Sequence, residues 1–327
     1  MQKQTHKIGP SPFISVDEYG EGDLVIFLHG IGGNKRNWLS NFESFSKHFK
    51  TVAWDARGYG ESDDYDGELN FDDFAQDLNK VIEYFSRKKA HIVGLSMGGR
   101  IAFTFFKNFP SKVASLVLCD THKGFKHFTE EQQNEFIRLR KEPLISGKEP
   151  SDIAPIVAKT LIGNINNSDV YEQLVDSMNR LHKLSYIKSI EASVKSDHTD
   201  ILHKIDVPTL VVVGELDTLT PPDLAKEIAN EIGVHPSTVS RILRYKYIDT
   251  PKGIMTLKSL LISSVSRTRD ISASQLMKLI EDIINSEKKP KSDKKITIEL
   301  NKRGFSLARR TISKYRKKNN IPSSRYR

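Results

Sequence analysis

The chain has 327 residues, of which 38% are hydrophobic and 28% charged, and its net charge is +9 at pH 7. This composition excludes a collagen-like, a disulfide-stabilised or a wholly disordered protein. The sequence contains one cysteine, Cys119, and no apolar run near the roughly 20 residues that a membrane span needs. We therefore expect a cytoplasmic protein without membrane contacts.

The charge is unevenly distributed along the chain. Residues 1–231 contain 27 basic and 34 acidic side chains, a net charge of −7, whereas residues 232–327 contain 23 and 7, a net charge of +16. Such asymmetry indicates two physically different parts and points to an acidic partner, such as nucleic acid, for the basic part only. A solvated basic tail is the alternative.

Apolar runs and helical patterns alternate in the first two thirds of the chain. Five runs are almost continuously apolar: Leu24–Leu28, Thr51–Trp54, His91–Leu95, Val113–Leu118 and Thr209–Val213. Runs of this kind are typical of strands buried on both faces of a parallel sheet. Phe71–Phe85 and Met97–Phe109 carry apolar residues at helical spacing between them. The alternation predicts an α/β fold with a doubly wound, mostly parallel sheet in residues 1–222.

The segment between Asp120 and Asp206 contains no predicted strand and is too long for a loop. Helix-like pieces such as Asp169–Leu184 occur within it. We interpret residues 121–205 as a helical lid over the sheet.

A nucleophile motif follows the third predicted strand. Gly94–Gly98 reads G-x-S-x-G and lies directly between a predicted strand and a predicted helix. Glycines on both sides permit the sharp turn that exposes Ser96, with the Met97 N–H directed at a developing oxyanion. The motif alone is a weak signal, and its strand–turn–helix context strengthens it.

Two further motifs follow predicted strands. His29–Gly33 is a glycine-rich turn in which the Ile31 N–H is a candidate second oxyanion donor, although a plain strand-to-helix turn is the alternative. Gly214–Asp217 places the Asp217 carboxylate at a strand end. Acids at strand ends often cap helices, so this motif has little weight alone.

Together these motifs resemble the α/β-hydrolase family over about residues 12–230. The matching blocks are HGIGGN, DARGYGESD, GLSMGG and VPTLVVVGELDTLTPP, in the family's order. The resemblance is nearest to small esterases and lactonases with a helical lid. It implies Ser96 as nucleophile, Ile31 and Met97 as oxyanion donors, Asp217 as the acid that orients a histidine, and a small ester or lactone as substrate. It implies neither a cofactor nor a metal ion.

The catalytic histidine of this family is missing from its expected place. In the family it follows the acid after one more strand, but His235 is the only histidine beyond Asp217 and no strand precedes it. His235 is therefore an unfavourable candidate for the general base. We expect the hydrolase-like part to be truncated before its last strand and to be weakly active or inactive.

A helix-turn-helix pattern begins at residue 223, and we assign it to residues 223–286. Leu224, Ala225, Ile228 and Ile232 have helical spacing, Gly233 ends that helix, and a second helix begins near Ser237. The candidates for contacts with bases and phosphates are Ser237, Thr238, Ser240, Arg241 and Arg244. A helical hairpin in a bundle is the alternative.

A second basic unit is assigned to residues 287–327, and the charged segment Ser286–Lys291 links it to the first. Ser292 and Asp293 cap a helix that extends through Lys302, and Ala308–Lys318 forms another. The last helix carries five candidate DNA-binding side chains: Arg309, Arg310, Lys314, Arg316 and Lys317. Phosphate neutralisation and arginine readout of guanine account for so basic a helix.

Residues 224–327 resemble the C-terminal DNA-binding part of the enhancer-dependent (sigma fifty-four) family of sigma factors. GVHPSTVSRILRYKYIDTPKGIMTLKSLL matches its helix-turn-helix block, ARRTISKYRK matches the box that names the family, and IPSS follows. The resemblance implies an all-α domain and promoter DNA as partner, with the last helix at an upstream GG element and helix 237–245 nearer a downstream GC element. The family's region that binds core RNA polymerase is not recognisable, so DNA binding is expected more than polymerase recruitment.

The two resemblances meet in Asp223–Ile232, a helix that either family could contribute. This junction fits a natural fusion or recombined gene, an assembly error or designed join, or a bifunctional protein. The last is the least favoured, because each half lacks a part that its function needs. Our leading hypothesis is a DNA-binding chimera on an impaired hydrolase fold. The alternatives are a Ser96 esterase or lactonase, and an artefact with neither full function.

Overall fold

The computed structural model describes residues 3–163, 168–233, 247–250, 253–256, 273–287, 290–303, 305, 307–318 and 321–324. The chain forms two compact units, Met1–Pro236 and Ser237–Arg327. His235 and the predicted DNA contacts Ser237, Thr238, Ser240, Arg241 and Arg244 lie outside the described residues.

The first unit contains a seven-stranded sheet with the order β1-β2-β4-β3-β5-β6-β7. Its strands are β1 (Gln4–Ile8), β2 (Ile14–Tyr19), β3 (Leu24–Leu28), β4 (Lys50–Trp54), β5 (Ala90–Leu95), β6 (Val113–Cys119) and β7 (Thr209–Val212). Strands β3 to β7 are parallel to one another, whereas β2 is antiparallel to β1 and β4. The predicted, mostly parallel sheet is confirmed.

Strand β3 shows why the sheet is covered on both faces. All five of its residues are buried, and neighbouring side chains point to opposite sides. Val25 and Phe27 pack with Trp38 and the helix α1 (Leu39–Phe45) on one face. Ile26 and Leu28 join the main core on the other face, where α2 (Phe71–Tyr84) and α3 (Met97–Asn108) lie. The sheet is therefore doubly wound, as predicted.

The hairpin of β1 and β2 is an addition to the predicted elements. Its second strand buries two carboxylates, Asp17 and Glu18. Asp17 pairs with Lys3 at 2.7 Å and with Lys35 at 3.2 Å, and Glu18 pairs with Lys50. Because two acids interrupt the apolar pattern, the sequence does not predict this strand. The paired lysines offset the free-energy cost of burying the two carboxylates.

Helices fill the stretch between β6 and β7 where the sequence predicts a lid. They are α4 (Glu130–Arg140), α5 (Glu142–Ile145), α6 (Pro150–Leu161), α7 (Ser168–Asn179), α8 (Lys183–Lys195) and α9 (Thr199–Leu202). The predicted helix Asp169–Leu184 is divided, since α7 ends at Asn179 and α8 begins at Lys183.

The sheet ends at β7, whose Val212 is 43% exposed. Within the described residues, β7 pairs only with β6. The helix α10 (Pro222–Ile232) follows, starts with a proline in its first turn and ends at Gly233, which has φ 78°. Ile228 of α10 is buried in the main core, so this helix belongs to the first unit. The two compact units divide after residue 236.

The second unit is mainly helical, as predicted, with one hairpin in addition. The hairpin pairs β8 (Tyr247–Thr250) with β9 (Gly253–Thr256). The helices are α11 (Ala273–Asn285), α12 (Asp293–Lys302) and α13 (Arg309–Lys318). They share one core of Leu276, Ile280, Ile283, Ile296, Leu300, Leu307, Ile312 and Tyr315. Helix α11 therefore packs with the terminal helices that were assigned to residues 287–327.

Across both units, none of the helices that the structure describes combines the length and apolar character of a membrane span.

Candidate functional site

Ser96 occupies the turn between β5 and α3 in a strained backbone conformation. Its φ is 52° and its ψ is −110°, a region that non-glycine residues rarely adopt. Four bonds hold the turn. Ser96 N–H donates to the Cys119 carbonyl at 2.8 Å, and the Ser96 carbonyl accepts from Gly99 N–H at 3.0 Å, Arg100 N–H at 3.3 Å and Thr121 Oγ1 at 2.7 Å. Such strain is typical of a nucleophile elbow.

Both glycines of the motif are required by close packing. A Cβ on Gly94 would lie 2.5 Å from the Gly98 backbone, and a Cβ on Gly98 would overlap the carbonyl oxygen of Leu28. The motif therefore reflects the contact of α3 with strand β3 as well as the turn.

The glycine-rich turn after β3 lies directly beside Ser96. A Cβ on Gly30 would come within 3.3 Å of the Ser96 Cβ. The turn closes with a bond from Gly33 N–H to the Gly30 carbonyl at 3.0 Å. Ile31 follows Gly30 and Met97 follows Ser96, so the predicted oxyanion donors belong to two adjacent turns. Backbone N–H groups that converge from two such turns can stabilise negative charge on an acyl-transfer intermediate.

His29 holds this turn and is unsuited to act as a base. Its Nε2 accepts a hydrogen bond from Ala56 N–H at 3.1 Å, so its Nδ1–H donates to the Gly30 carbonyl at 2.8 Å. Burial lowers the pKa of His29 to about 4. The imidazole is therefore neutral, with both nitrogens bonded.

Lys35 is a positioning residue that the sequence analysis missed. It is 2% exposed, and its Nζ donates to Ser15 Oγ at 2.7 Å and pairs with Glu61 at 2.8 Å. Burial acts to lower the pKa of Lys35, but Glu61, Asp55 and Asp17 outweigh burial and raise it. Lys35 thus ties the segment after the oxyanion turn to the sheet, and a lysine in a polar loop offers no sequence signal for this role.

The Asp217 carboxylate is bonded within its own loop. Its Oδ1 accepts from Leu219 N–H at 2.9 Å and Thr220 N–H at 2.8 Å, and its Oδ2 accepts from Thr220 Oγ1 at 2.6 Å. These bonds close a turn at residues 217–220. They do not cap the following helix, which begins at Pro222 after Pro221 and has no side-chain cap bond.

A second carboxylate, Asp120, faces Asp217 from the end of β6. Its Oδ1 accepts from Gly214 N–H at 2.8 Å, and its φ is 43°. Burial raises the pKa of Asp120, and the adjacent Asp217 raises it further. Both acids line a cleft of about 470 Å³ that also includes Thr160–Gly163 at the end of α6. Asp120 is not among the residues predicted from the sequence, where its only signal is its place directly after an apolar strand.

The structure places Ser96 beside the glycine-rich turn, but the residues that it describes do not complete a catalytic triad. Among the described residues, the hydrogen bonds given to Asp217 come from Leu219 and Thr220, and none comes from a histidine. His122 is close in sequence to Asp120, but its Nδ1 accepts from Gly124 N–H and its ring packs against Phe125 and Phe128.

In the second unit, helix α13 separates its cations into two groups. Arg309, Arg310, Lys314 and Lys317 are exposed, whereas Ile312, Tyr315 and Arg316 are buried. Helical spacing places the exposed side chains on one continuous face. Four of the five predicted DNA contacts on this helix therefore lie on an accessible basic surface, which we call the basic face.

Arg316 instead belongs to the interior of the second unit. It is 4% exposed, and its Nε and Nη2 donate to Asp293 at 2.7 and 3.2 Å. Its Nη1 also donates to the Ile321 carbonyl at 2.5 Å. Arg316 thus connects α13, the first turn of α12 and the segment after α13.

Asn301 fixes the turn that leads into α13. Its side chain accepts from Leu307 N–H at 2.9 Å and donates to the Leu307 carbonyl at 3.1 Å. Together with the Arg316–Asp293 pair, these bonds define how the basic face is presented.

Two family models match the chain, and their matches overlap. The model "alpha/beta hydrolase fold" matches residues 23–243, and the model "Sigma-54, DNA binding domain" matches residues 214–327. Residues 214–243, which include α10, are therefore matched by both.

The curated relatives are likewise of two kinds, sigma-54 factors and hydrolases. A "Putative RNA polymerase sigma-54 factor" of Clostridium kluyveri is 32% identical over 52% of this chain and 38% of its own length. The "RNA polymerase sigma-54 factor" of Azotobacter vinelandii is 41% identical over 32% of this chain and 22% of its own length. The chain thus spans well under half of these relatives. A "2-hydroxy-6-oxononadienedioate/2-hydroxy-6-oxononatrienedioate hydrolase" of Escherichia coli O81 is 28% identical over 67% of this chain and 80% of its own length.

Solved structures resemble the first part of the chain. An esterase from Exiguobacterium antarcticum has a TM-score of 0.63 and 22% identity, covering 70% of this chain and 87% of its own. A thermophilic esterase from Thermogutta terrifontis has a TM-score of 0.62 and 26% identity, covering 71% and 87%.

Proposed function

Because the chain belongs to the alpha/beta hydrolase fold family over residues 23–243 and continues in a sigma-54 DNA-binding domain over residues 214–327, we propose that it binds promoter DNA of the GG–GC type through its C-terminal part. The hydrolase part is catalytically impaired in this proposal. The observation that carries it is the basic face of α13, with four exposed cations on a helix whose other face is anchored in a core.

The basic face has the chemistry for both parts of DNA recognition. Lysines and arginines neutralise phosphates, and an arginine at the start of a helix in the major groove reads a guanine edge through two hydrogen bonds. Arg309 and Arg310 begin α13, and Lys314 and Lys317 follow on the same face. We assign this face to the GG element, and Ser237, Thr238, Ser240, Arg241 and Arg244 to the GC element. Arg316 holds the helix in place.

The test of this proposal is promoter binding by the full chain and two variants that each remove one arginine. Fluorescence anisotropy with a GG–GC duplex should show weaker binding for Arg310→Ala, by about 1–3 kcal/mol. Arg138→Ala removes an exposed arginine of the hydrolase part that pairs with Glu135 at 2.7 Å, and it should bind like the unaltered chain. Equal effects of the two substitutions would contradict an assigned role for the basic face.

A second candidate function is hydrolysis of a small ester or lactone with Ser96 as nucleophile. It is favoured by the contact of Gly30 with Ser96, which joins the strained elbow to the oxyanion turn. We nevertheless propose that this activity is impaired, because no histidine among the described residues bonds the Asp217 carboxylate, which is held by Leu219 and Thr220. Without a base, oxyanion and binding effects leave a small residual acceleration.

Cleavage of a short activated ester distinguishes an impaired hydrolase from an active one. The impaired hydrolase gives turnover near the uncatalysed rate, and Ser96→Ala leaves it unchanged. Turnover that Ser96→Ala abolishes would establish an active hydrolase, and a further loss in His235→Ala would identify His235 as its base.

A further inference from the structure

The helix α10 is matched by the family models of both parts of the chain. Leu224, Ala225, Ile228 and Ile232 are the apolar residues of α10 that predict the first helix of the helix-turn-helix. The range matched by both family models contains all four. In a helix-turn-helix, the apolar face of the first helix packs against the second helix.

In the structure this apolar face is already used by the hydrolase fold. Ile228 is 1% and Ala225 7% exposed, and Ile232 packs against the main core. Leu224 is half-buried. The helix lies against β7 and α9. One face of a helix cannot be buried in two places at once, because the side chains that fill one core are withdrawn from the other.

Ion pairs on the polar side of α10 also hold the helix on the hydrolase fold. Lys123, in the segment after β6, is buried and pairs with Glu231 and, at 3.4 Å, with Glu227 of α10. Burial acts to lower the pKa of Lys123, but Glu231 and Glu227 outweigh burial and raise it. We call these two ion pairs the clamp. Its lysine lies outside α10, and its two glutamates lie on α10.

We propose that α10 is a switch between the two parts of the chain. While α10 is packed on the hydrolase sheet, it is withheld from the helix-turn-helix, and DNA is held by the basic face of α13 alone. Full two-element recognition requires α10 to leave the sheet. The hydrolase fold thereby restrains DNA binding, an inference that rests on the proposed function of the second unit.

The experiment loosens the clamp without changing α10 or any residue after it. Lys123→Glu places a carboxylate beside Glu227 and Glu231, and the full chain is titrated with GG–GC DNA at fixed salt. We expect about three- to tenfold tighter binding, although the substitution makes the protein less positive. Lys126→Glu has the same change of charge, and its partner Asp197, 3.0 Å away, lies outside α10. This control should bind slightly more weakly than the unaltered chain.

Hydrogen exchange measured in the same samples reports the position of α10 directly. Exchange in residues 222–232 and in β7 should rise in Lys123→Glu without DNA, and in the unaltered chain when DNA is added. Lys123→Ala should give smaller changes in the same direction. Exchange in β1 and β2, at the opposite edge of the sheet from β7, should stay unchanged, which excludes global unfolding as the cause.

The outcomes separate this proposal from the proposed function. Tighter binding by Lys123→Glu together with faster exchange supports the switch. Specific DNA binding that is equal in Lys123→Glu and Lys126→Glu overturns the switch and leaves the proposed function intact. If none of the proteins prefers GG–GC DNA, both proposals fail.

Discussion

Arg316 of α13 donates two hydrogen bonds to the carboxylate of Asp293, 23 positions earlier in the first turn of α12. A residue that sequence alone places among the DNA contacts is thus committed to an intramolecular pair. Because the same guanidinium also bonds the Ile321 carbonyl, one side chain joins three segments of the terminal unit. Arg309, Arg310, Lys314 and Lys317 of the same helix are exposed, and these are the cations that we propose to contact DNA.

Removal of Arg316 should act through stability rather than through lost phosphate contacts. Arg316→Ala removes the bonds to Asp293 and to the Ile321 carbonyl from a buried site, and we expect a loss of about 2–4 kcal/mol in the free energy of unfolding of the C-terminal unit. The exchanged pair Asp293→Arg with Arg316→Asp should recover part of this loss. Chemical denaturation of the unaltered chain, Arg316→Ala and the exchanged pair measures the three free energies of unfolding. No recovery in the exchanged pair, combined with a loss for Arg316→Ala, would argue against this pairing.

The salt dependence of DNA binding should distinguish the exposed cations from Arg316. Each phosphate contact contributes about 0.9 to the slope of log K against log salt concentration. Lys314→Ala should lower the magnitude of this slope by about 1, whereas Arg316→Ala should leave it unchanged well below its unfolding temperature. The slope is obtained by repeating the titration at several salt concentrations. A reduced slope for Arg316→Ala would place that side chain on DNA after all.

The turn before α13 should depend on the amide of Asn301. Asn301→Ala removes both bonds to Leu307, and we expect a loss of about 1 kcal/mol in stability together with weaker DNA binding. The adjacent Lys302→Ala is the matched control for stability, because Lys302 is exposed. Thermal unfolding measures both variants. Equal midpoints would show that the turn does not need these bonds.

The nucleophile elbow should tolerate no side chain at Gly98. Gly98→Ala brings a methyl group into the Leu28 carbonyl oxygen, so we expect a loss of about 3 kcal/mol in the stability of the hydrolase unit. Gly214→Ala is the control, since a Cβ there has no heavy-atom neighbour nearer than 3.9 Å. Denaturant titration compares the two. A Gly98→Ala protein as stable as the control would contradict the tight contact of α3 with β3.

Asp120 should make stability depend on pH in a defined direction. Burial and Asp217 raise the pKa of Asp120 in the folded state above its ordinary value of 3.8. A raised pKa means that the favourable contribution of protonated Asp120 is complete below pH 3.8 and is lost as the pH rises through the folded-state pKa. Asp120→Asn should therefore unfold at a higher temperature than the unaltered chain at pH 7, with the difference shrinking toward pH 3.8. Asp66→Asn, an exposed site, should show no such trend.

Much of the first unit could be predicted from sequence because its central strands are buried on both faces. Leu24–Leu28 is predicted with the same bounds that the structure has, and the other four parallel strands differ by one residue at an end. Strand β2 was not predicted because Asp17 and Glu18 interrupt its apolar pattern. The lysines that neutralise these buried carboxylates are distant in sequence. The packing of α10 could not be assigned, since the same four apolar residues satisfy either fold.

The candidate sites were predictable where local sequence determines geometry. The elbow at Ser96 and the turn at Gly30 follow from glycines whose spacing the backbone requires. The Asp120–Asp217 pair depends on two strands nearly 100 residues apart in the chain, and the Arg316–Asp293 pair depends on the packing of α12 and α13. Helical spacing alone treats Arg316 as one more surface cation, because it does not show which polar residue has a buried partner.

The most direct test of the central claim is the affinity of the unaltered full chain for a GG–GC promoter duplex relative to a scrambled duplex, measured by competition at one physiological salt concentration. If the C-terminal part reads promoter sequence, the promoter duplex should bind roughly 100-fold more tightly or better. Equal affinity for the two duplexes would contradict the account and leave only a non-specific basic surface.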